Sequence, residues 1–249
     1  MTKLLKLSFL NTKNVVRSKQ FIAFIIAAFA YSLALFIATR STNTKLQLYF
    51  NEFGRFLYVV ILYASVSILR GDVISNTTKT IFTGIFTRKE VMLSKLISLI
   101  FLGIIFYLIV EVDALLIGLM DYKRMGLQQF LEMQHGEIML IYIVLTFSMG
   151  TLMFLINSII FKKGKSILFS ILTLTAINFN NAIIVTSAHR SPAFAEKIWI
   201  YAKTPFYIWT DLSLKSFTEV LNIEQLLMSI VYGLVFFGFA IFIISKREI

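Results

Sequence analysis

Few residues in this chain are placed to do chemistry, and most of them sit in apolar surroundings. Glu111 and Asp113 fall within the apolar run Leu96–Leu119. Carboxylates in such a run are costly in hydrocarbon and turn toward protein or water. They mark either a translocation path or the point where the run emerges at an interface. Asn178, Asn180 and Asn181 fall within another run, Ile167–Ala188. Amides there either bond across helices or line a polar pathway. Asn178 and Asn181 are three positions apart and share one helical face. If these runs line a substrate pathway, Asn178, Asn181 and Glu111 are its candidate residues. The two histidines, His135 and His189, lie outside the apolar runs, and there is no cysteine. Neither a disulfide framework nor a thiolate metal site is possible, and two distant histidines make a poor metal cluster. The chain has no G-x-x-x-x-G-K-[ST] phosphate loop, no H-E-x-x-H pair and no G-x-S-x-G elbow,. It reads as a non-enzyme, with no catalytic, cofactor-binding or metal residue of its own.

The elements that must position these residues are mostly matched to lipid. Six long apolar stretches occur: Phe21–Ala38, Phe53–Leu69, Leu96–Leu119, Ile138–Phe161, Ile167–Ala188 and Leu226–Ile244. Each is close to the roughly 20 residues a helix needs to cross the hydrocarbon core. Of 249 residues, 58% are hydrophobic, and six spans with their connections leave no length for a soluble catalytic domain. The expectation is one all-α integral membrane domain over residues 1–249. The formal charge of +11 on an apolar body suggests an anionic membrane surface, not nucleic acid. Phe21–Ala38 follows a basic segment, as a signal peptide would. Its length suits an uncleaved first span better than a short signal core.

The cations fix an orientation. With the amino terminus inside, the inner segments hold Lys3, Lys6, Lys13, Arg17 and Lys19; Arg70, Lys79, Arg88, Lys89 and Lys95; Lys162, Lys163 and Lys165; Lys246 and Arg247. That is most of the 24 Lys and Arg, with only Asp72, Glu90 and Glu248 among them. Cation excess marks the cytoplasmic side, so both termini are expected there.

Three segments outside the spans carry pattern. In residues 1–20, Lys3, Lys6, Lys13 and Arg17 share one helical face and Leu4, Leu5, Val15 and Val16 much of the other, with Leu10 breaking the pattern. Such a helix lies in the headgroup plane, unless it is simply a positive flank for the first span. In Arg70–Lys95, Ile74, Thr78, Ile81 and Ile85 form one stripe at helical spacing, and Gly84 is a stop signal. Thr87 and Glu90 then fit a capping box that starts a fresh helix. A short striped helix suits either docking in a groove on another protein or resting on the membrane. In residues 189–225, Ser191-Pro192 suits a helix start, and Asn222 with Gln225 suits the start of the sixth span. The aromatics Phe194, Trp199, Tyr201, Phe206, Tyr207 and Trp209 between them favour the headgroup level. Short helices lying on or dipping into the outer leaflet are expected.

Arg70–Lys95 resembles the segment after the second span of ABC-2 type transporter permeases. The matching residues are Asp72, Thr77, Lys79, Ile81, Arg88, Ser94 and Lys95, while Asn76 stands where Gly is usual and Asp72 where Glu is usual. The layout of the whole chain is similar too. The resemblance implies a permease subunit that pairs with a second permease chain, as a homo- or heterodimer, and binds two ABC ATP-binding subunits. ATP and Mg would then sit on the partner ATPase. It implies a cytoplasmic coupling helix at Asp72–Phe86, with Asp72, Ile74, Thr77, Thr78, Lys79, Ile81, Phe82 and Ile85 at the ATPase contact. It also implies outer re-entrant helices before the last span. Among such permeases the chain looks most like small ones of the bacterial cell membrane that export amphipathic peptides or confer immunity to peptide bacteriocins; drug efflux is a neighbouring reading. A non-transport membrane scaffold would lack an ATPase partner. An intramembrane enzyme would need a catalytic pair within the spans, and the sequence offers none.

Overall fold

The structure is a computed structural model that describes residues 2–40, 44–74, 87–122, 126–160, 164–215 and 221–246. Its helices are α1 (Thr2–Val16), α2 (Lys19–Thr39), α3 (Leu46–Ile74), α4 (Arg88–Met120), α5 (Gly126–Leu131), α6 (His135–Ile160), α7 (Gly164–Arg190), α8 (Pro192–Lys197), α9 (Pro205–Ser213) and α10 (Ile223–Ser245). A 3-10 turn spans Tyr201–Lys203. Among the described residues there is no strand. Six helices, α2, α3, α4, α6, α7 and α10, are long and apolar enough to cross a membrane.

The helix starts follow local chemistry. Thr87 Oγ1 accepts from the Glu90 amide, and Glu90 Oε2 accepts from the Thr87 amide at 2.7 Å, so the capping box is complete,. Ser191 caps α8 with Pro192 at its first position, and Asn222 caps α10 through the Gln225 amide. The second span starts at Leu46, well before Phe53. Gln129 Oε1 accepts from the Leu46 amide at 3.0 Å, satisfying a donor a helix start leaves open,. Leu46, Tyr49 and Phe50 are buried, so packing extends the helix where hydropathy alone stops.

The bundle is organised around α6, the most deeply buried span, which packs on α10, α4, α3 and α9. Small residues allow close approach. A Cβ on Gly103 of α4 would lie 2.7 Å from the Ile143 Cα of α6, and one on Gly233 of α10 would lie 2.4 Å from Phe147. Ser148 and Ser229 bond across α6 and α10 at 2.9 Å, and Trp209 Nε1 donates to Ser229 at 3.1 Å. Trp209 is fully buried. Its indole N–H finds a partner inside the bundle, while Trp199 is exposed.

α1 packs on α4 through one narrow stripe. Ser8, Thr12 and Val15 form the buried stripe, facing α4, and Leu5 is exposed. Ser98 Oγ of α4 donates to the Ser8 carbonyl at 3.0 Å, and Thr12 hydroxyl reaches the Ser98 carbonyl at 3.4 Å. Small hydroxylated residues bring two helices closer than leucines would, so they win the contact. Lys3, Lys6, Lys13 and Arg17 are all exposed, away from it.

Candidate functional site

Two recesses among the described residues bear on function. The first is an open groove of about 230 Å3 between α3 and α7, lined by Asn51, Glu52, Arg55, Ile183 and Thr186 among others. Arg55 Nη1 pairs with Glu52 at 2.6 Å, one turn earlier on α3. Its guanidinium also lies over the Phe179 ring of α7, 4.6 Å from the centroid, a favourable cation–π distance. Tyr31 of α2 donates to the other Glu52 oxygen at 3.3 Å. The groove therefore sets a paired cation and anion in apolar walls. It suits a ligand with both apolar surface and charge, because each wall group already has a counterpart to exchange.

The second recess is a narrow cavity of about 20 Å3 between α3, α6 and α9, room for about one water. Tyr58, Tyr142, Met149 and Leu212 line it, and Lys215 stands at its edge. Lys215 is buried, yet its ammonium pairs with Glu137 and donates to Gln134 Oε1 at the start of α6. A buried cation held this way locks the chain after α9 onto α6.

The expected pathway residues divide. Asn178 and Asn181 share a buried face of α7. Asn178 Nδ2 donates to Thr210 Oγ1 of α9 at 3.2 Å and also meets Tyr58 of α3. Asn181 Oδ1 accepts from the Tyr201 hydroxyl of the 3-10 turn, and its Nδ2 is buried without a partner. Both hold the segment between α7 and α10 against α7, behind the groove rather than in its lining. Asn180 is exposed and returns its amide to the Ala176 carbonyl. Glu111 is not brought to them. Its two oxygens meet His135 Nδ1 at 2.9 Å, and His135 packs on Phe130. Asp113 is buried, and accepts from Ser32 of α2 at 2.9 Å.

The same segment is held at a second point. Asp211 of α9 accepts from His189 at the end of α7 at 2.8 Å and from Gln225 of α10 at 2.7 Å. Burial, and then the Asp211 charge, push the Tyr207 hydroxyl up to about 12.

Of the expected ATPase-contact residues, Thr77, Thr78, Lys79, Ile81, Phe82 and Ile85 lie outside the described residues; Asp72 and Ile74 are described as helical backbone only. The flanks are described. Lys95 is buried and donates to the Ile68 carbonyl at 2.7 Å, so the helices on either side of 75–86 are fastened together.

Sequence reasoning passed over Glu52, Arg55, Glu137, Lys215 and Asp211. Arg55 carried a usable signal, a cation inside the run Phe53–Leu69. Lys215 carried none. Among the described residues no group of three or more His, Asp or Glu is arranged to hold a metal.

Fold and recesses together define an all-α protein with six helices fit to cross a membrane. No protein-family model matches the chain, and no curated protein matches it.

Proposed function

We propose that this chain is the membrane-spanning permease subunit of an ATP-driven exporter of the ABC-2 type, moving amphipathic peptides across a bacterial cell membrane. The observation that carries this reading is the double role of α3. Its first turns wall the α3–α7 groove with Glu52 and Arg55, and its last turn leads into the stretch resembling a coupling helix. At 29 residues and 1.5 Å per residue it is about 43 Å long, enough to cross the core and project beyond it. Lys95 ties it to α4 just before that stretch. A push on 75–86 by closing ATPase subunits would thus move α3 and α4 together and reshape the groove at the far end of α3.

The chain's own residues would then act as follows. Arg55 and Glu52 exchange their mutual pairing for the charged side chains of a peptide. Ile183 and the neighbouring apolar wall take its apolar face. A second permease chain would complete the path across the groove's open side. In the proposed orientation α1, the cations Lys162, Lys163 and Lys165 and both termini face the cytoplasm.

Co-purification tests the class. A P-loop ATPase should be recovered with the wild-type chain. Ile81→Glu, which places a charge in an apolar contact, should lose it while inserting normally. Arg55→Leu should keep the ATPase and lower peptide export. ATPase recovery at wild-type strength from Ile81→Glu would refute the docking assignment. No recovery with wild type would favour the scaffold reading.

A further inference from the structure

α1 is three-sided, and only one side is used within the chain. Ser8, Thr12 and Val15 face α4. Lys3, Lys6, Lys13 and Arg17 project on the far side. Between these two sides runs an apolar strip, Leu5 and Phe9, that stands open among the described residues: Leu5 is 40% and Phe9 61% exposed. The strip is one wall of an open groove of about 500 Å3 whose lining is Leu5, Lys6, Phe9, Leu10 and Phe101 of α4. Its chemistry is uneven. Four of the five lining residues are apolar, and the fifth is a lysine on the side of the basic face.

The groove is rigidly built. Ser98, one turn before Phe101, donates to the Ser8 carbonyl from the opposite helix. α1 thus stands at a fixed height beside α4, about 15 Å beyond the α4 start at 1.5 Å per residue. Lys6 puts the basic face of α1 at the groove's margin. α1 contains no acidic residue, which leaves its cations without a counter-charge on their own helix.

We propose that this groove holds one anionic phospholipid, its acyl chain on Leu5, Phe9 and Phe101 and its phosphate on Lys6. The commitment to an anionic lipid rests on charge complementarity. Lys6 lines the groove, Lys3 and Lys13 flank it at helical spacing, and no carboxylate shares the helix. A zwitterionic headgroup would meet this row of cations with no net charge to offer. An acyl chain alone would satisfy the strip equally well from any lipid, so headgroup discrimination is the property that separates a site from ordinary solvation. The inference rests on the membrane-spanning architecture, and it is independent of the transported substrate and of any ATPase.

The test places a reporter in the groove. Phe101→Trp protein is reconstituted in bilayers containing dibrominated phosphatidylglycerol or dibrominated phosphatidylcholine, and quenching is read as the difference from protein with native Phe101. Phosphatidylglycerol should quench at about one-fifth the mole fraction that phosphatidylcholine needs, the effect of about one basic contact near a charged surface. Adding Lys6→Gln should abolish that preference and leave phosphatidylcholine quenching unchanged. Lys6 is exposed, so the substitution does not disturb the bundle. Lys19→Gln, an exposed cation off the groove, should keep the wild-type preference. Equal quenching by both lipids, a preference that survives Lys6→Gln, or one lost equally with Lys19→Gln would each overturn the proposal.

Discussion

Lys95 of α4 donates from Nζ to the backbone carbonyl of Ile68 in α3 at 2.7 Å, with only 2% of the residue exposed. A lysine is almost never buried to that degree unless held. Here it fastens the two helices that flank 75–86. Lys95→Met removes the ammonium while keeping most of the apolar stem. Loss of a charged hydrogen bond costs about 1.5–3 kcal/mol, so the detergent-solubilised protein should melt several degrees lower. On the proposed exporter reading, it should also lose coupling between ATP hydrolysis and export if α3 and α4 move as one body. Unchanged melting would show the bond to be idle.

Contact between α4 and α6 at Gly103 leaves no room for a side chain. Its Cβ would lie 2.7 Å from the Ile143 Cα and 3.0 Å from the Tyr142 carbonyl, both backbone atoms that cannot swing aside. Gly103→Ala should destabilise the bundle by about 1–3 kcal/mol through overpacking. Gly238 of α10 meets nothing within 4 Å, so Gly238→Ala should be neutral or slightly stabilising, since Ala favours helix. Equal melting temperatures for the two variants would contradict the predicted close approach.

Glu137 and Lys215 form an unequal pair. The Lys215 side chain is 5% exposed and that of Glu137 39%. Glu137→Leu takes the counter-charge from a buried ammonium, whereas Lys215→Met leaves a carboxylate whose side chain is partly open to water, its Oε2 alone being buried. Stranding a buried charge is the costlier of the two. Thermal unfolding should therefore rank wild type above Lys215→Met and Lys215→Met above Glu137→Leu. The reverse order of the two variants would mean that the pair does not hold the chain after α9 onto α6.

Orientation is tested without background, because the chain has no cysteine. Gly164→Cys should resist an impermeant thiol reagent in intact cells and react after lysis. Gly126→Cys should react in intact cells. Labelling of the first without lysis, or protection of the second, would invert the proposed topology.

The sequence by itself determined the number and approximate place of the six spans, because a run of about 20 apolar residues has few other uses. It also determined the caps at Thr87, Ser191 and Asn222, because a capping side chain bonds an amide two or three residues away. What it left open depends on partners distant in the chain. The start of α3 at Leu46 is decided by Gln129, the burial of Trp209 by Ser229, and the side α1 presents by Ser98. Asn178 and Asn181 could be placed on one face from their spacing. That the face turns to Thr210 and Tyr201, behind the groove, follows only from how α9 and the 3-10 turn fold back on α7. Hydrophobic periodicity records that a residue is removed from water; it does not record which helix removes it. Lipid and protein interior are equally apolar, so in a membrane bundle the neighbour is chosen by shape and by hydrogen bonds between helices, and these exist only once the helices have packed.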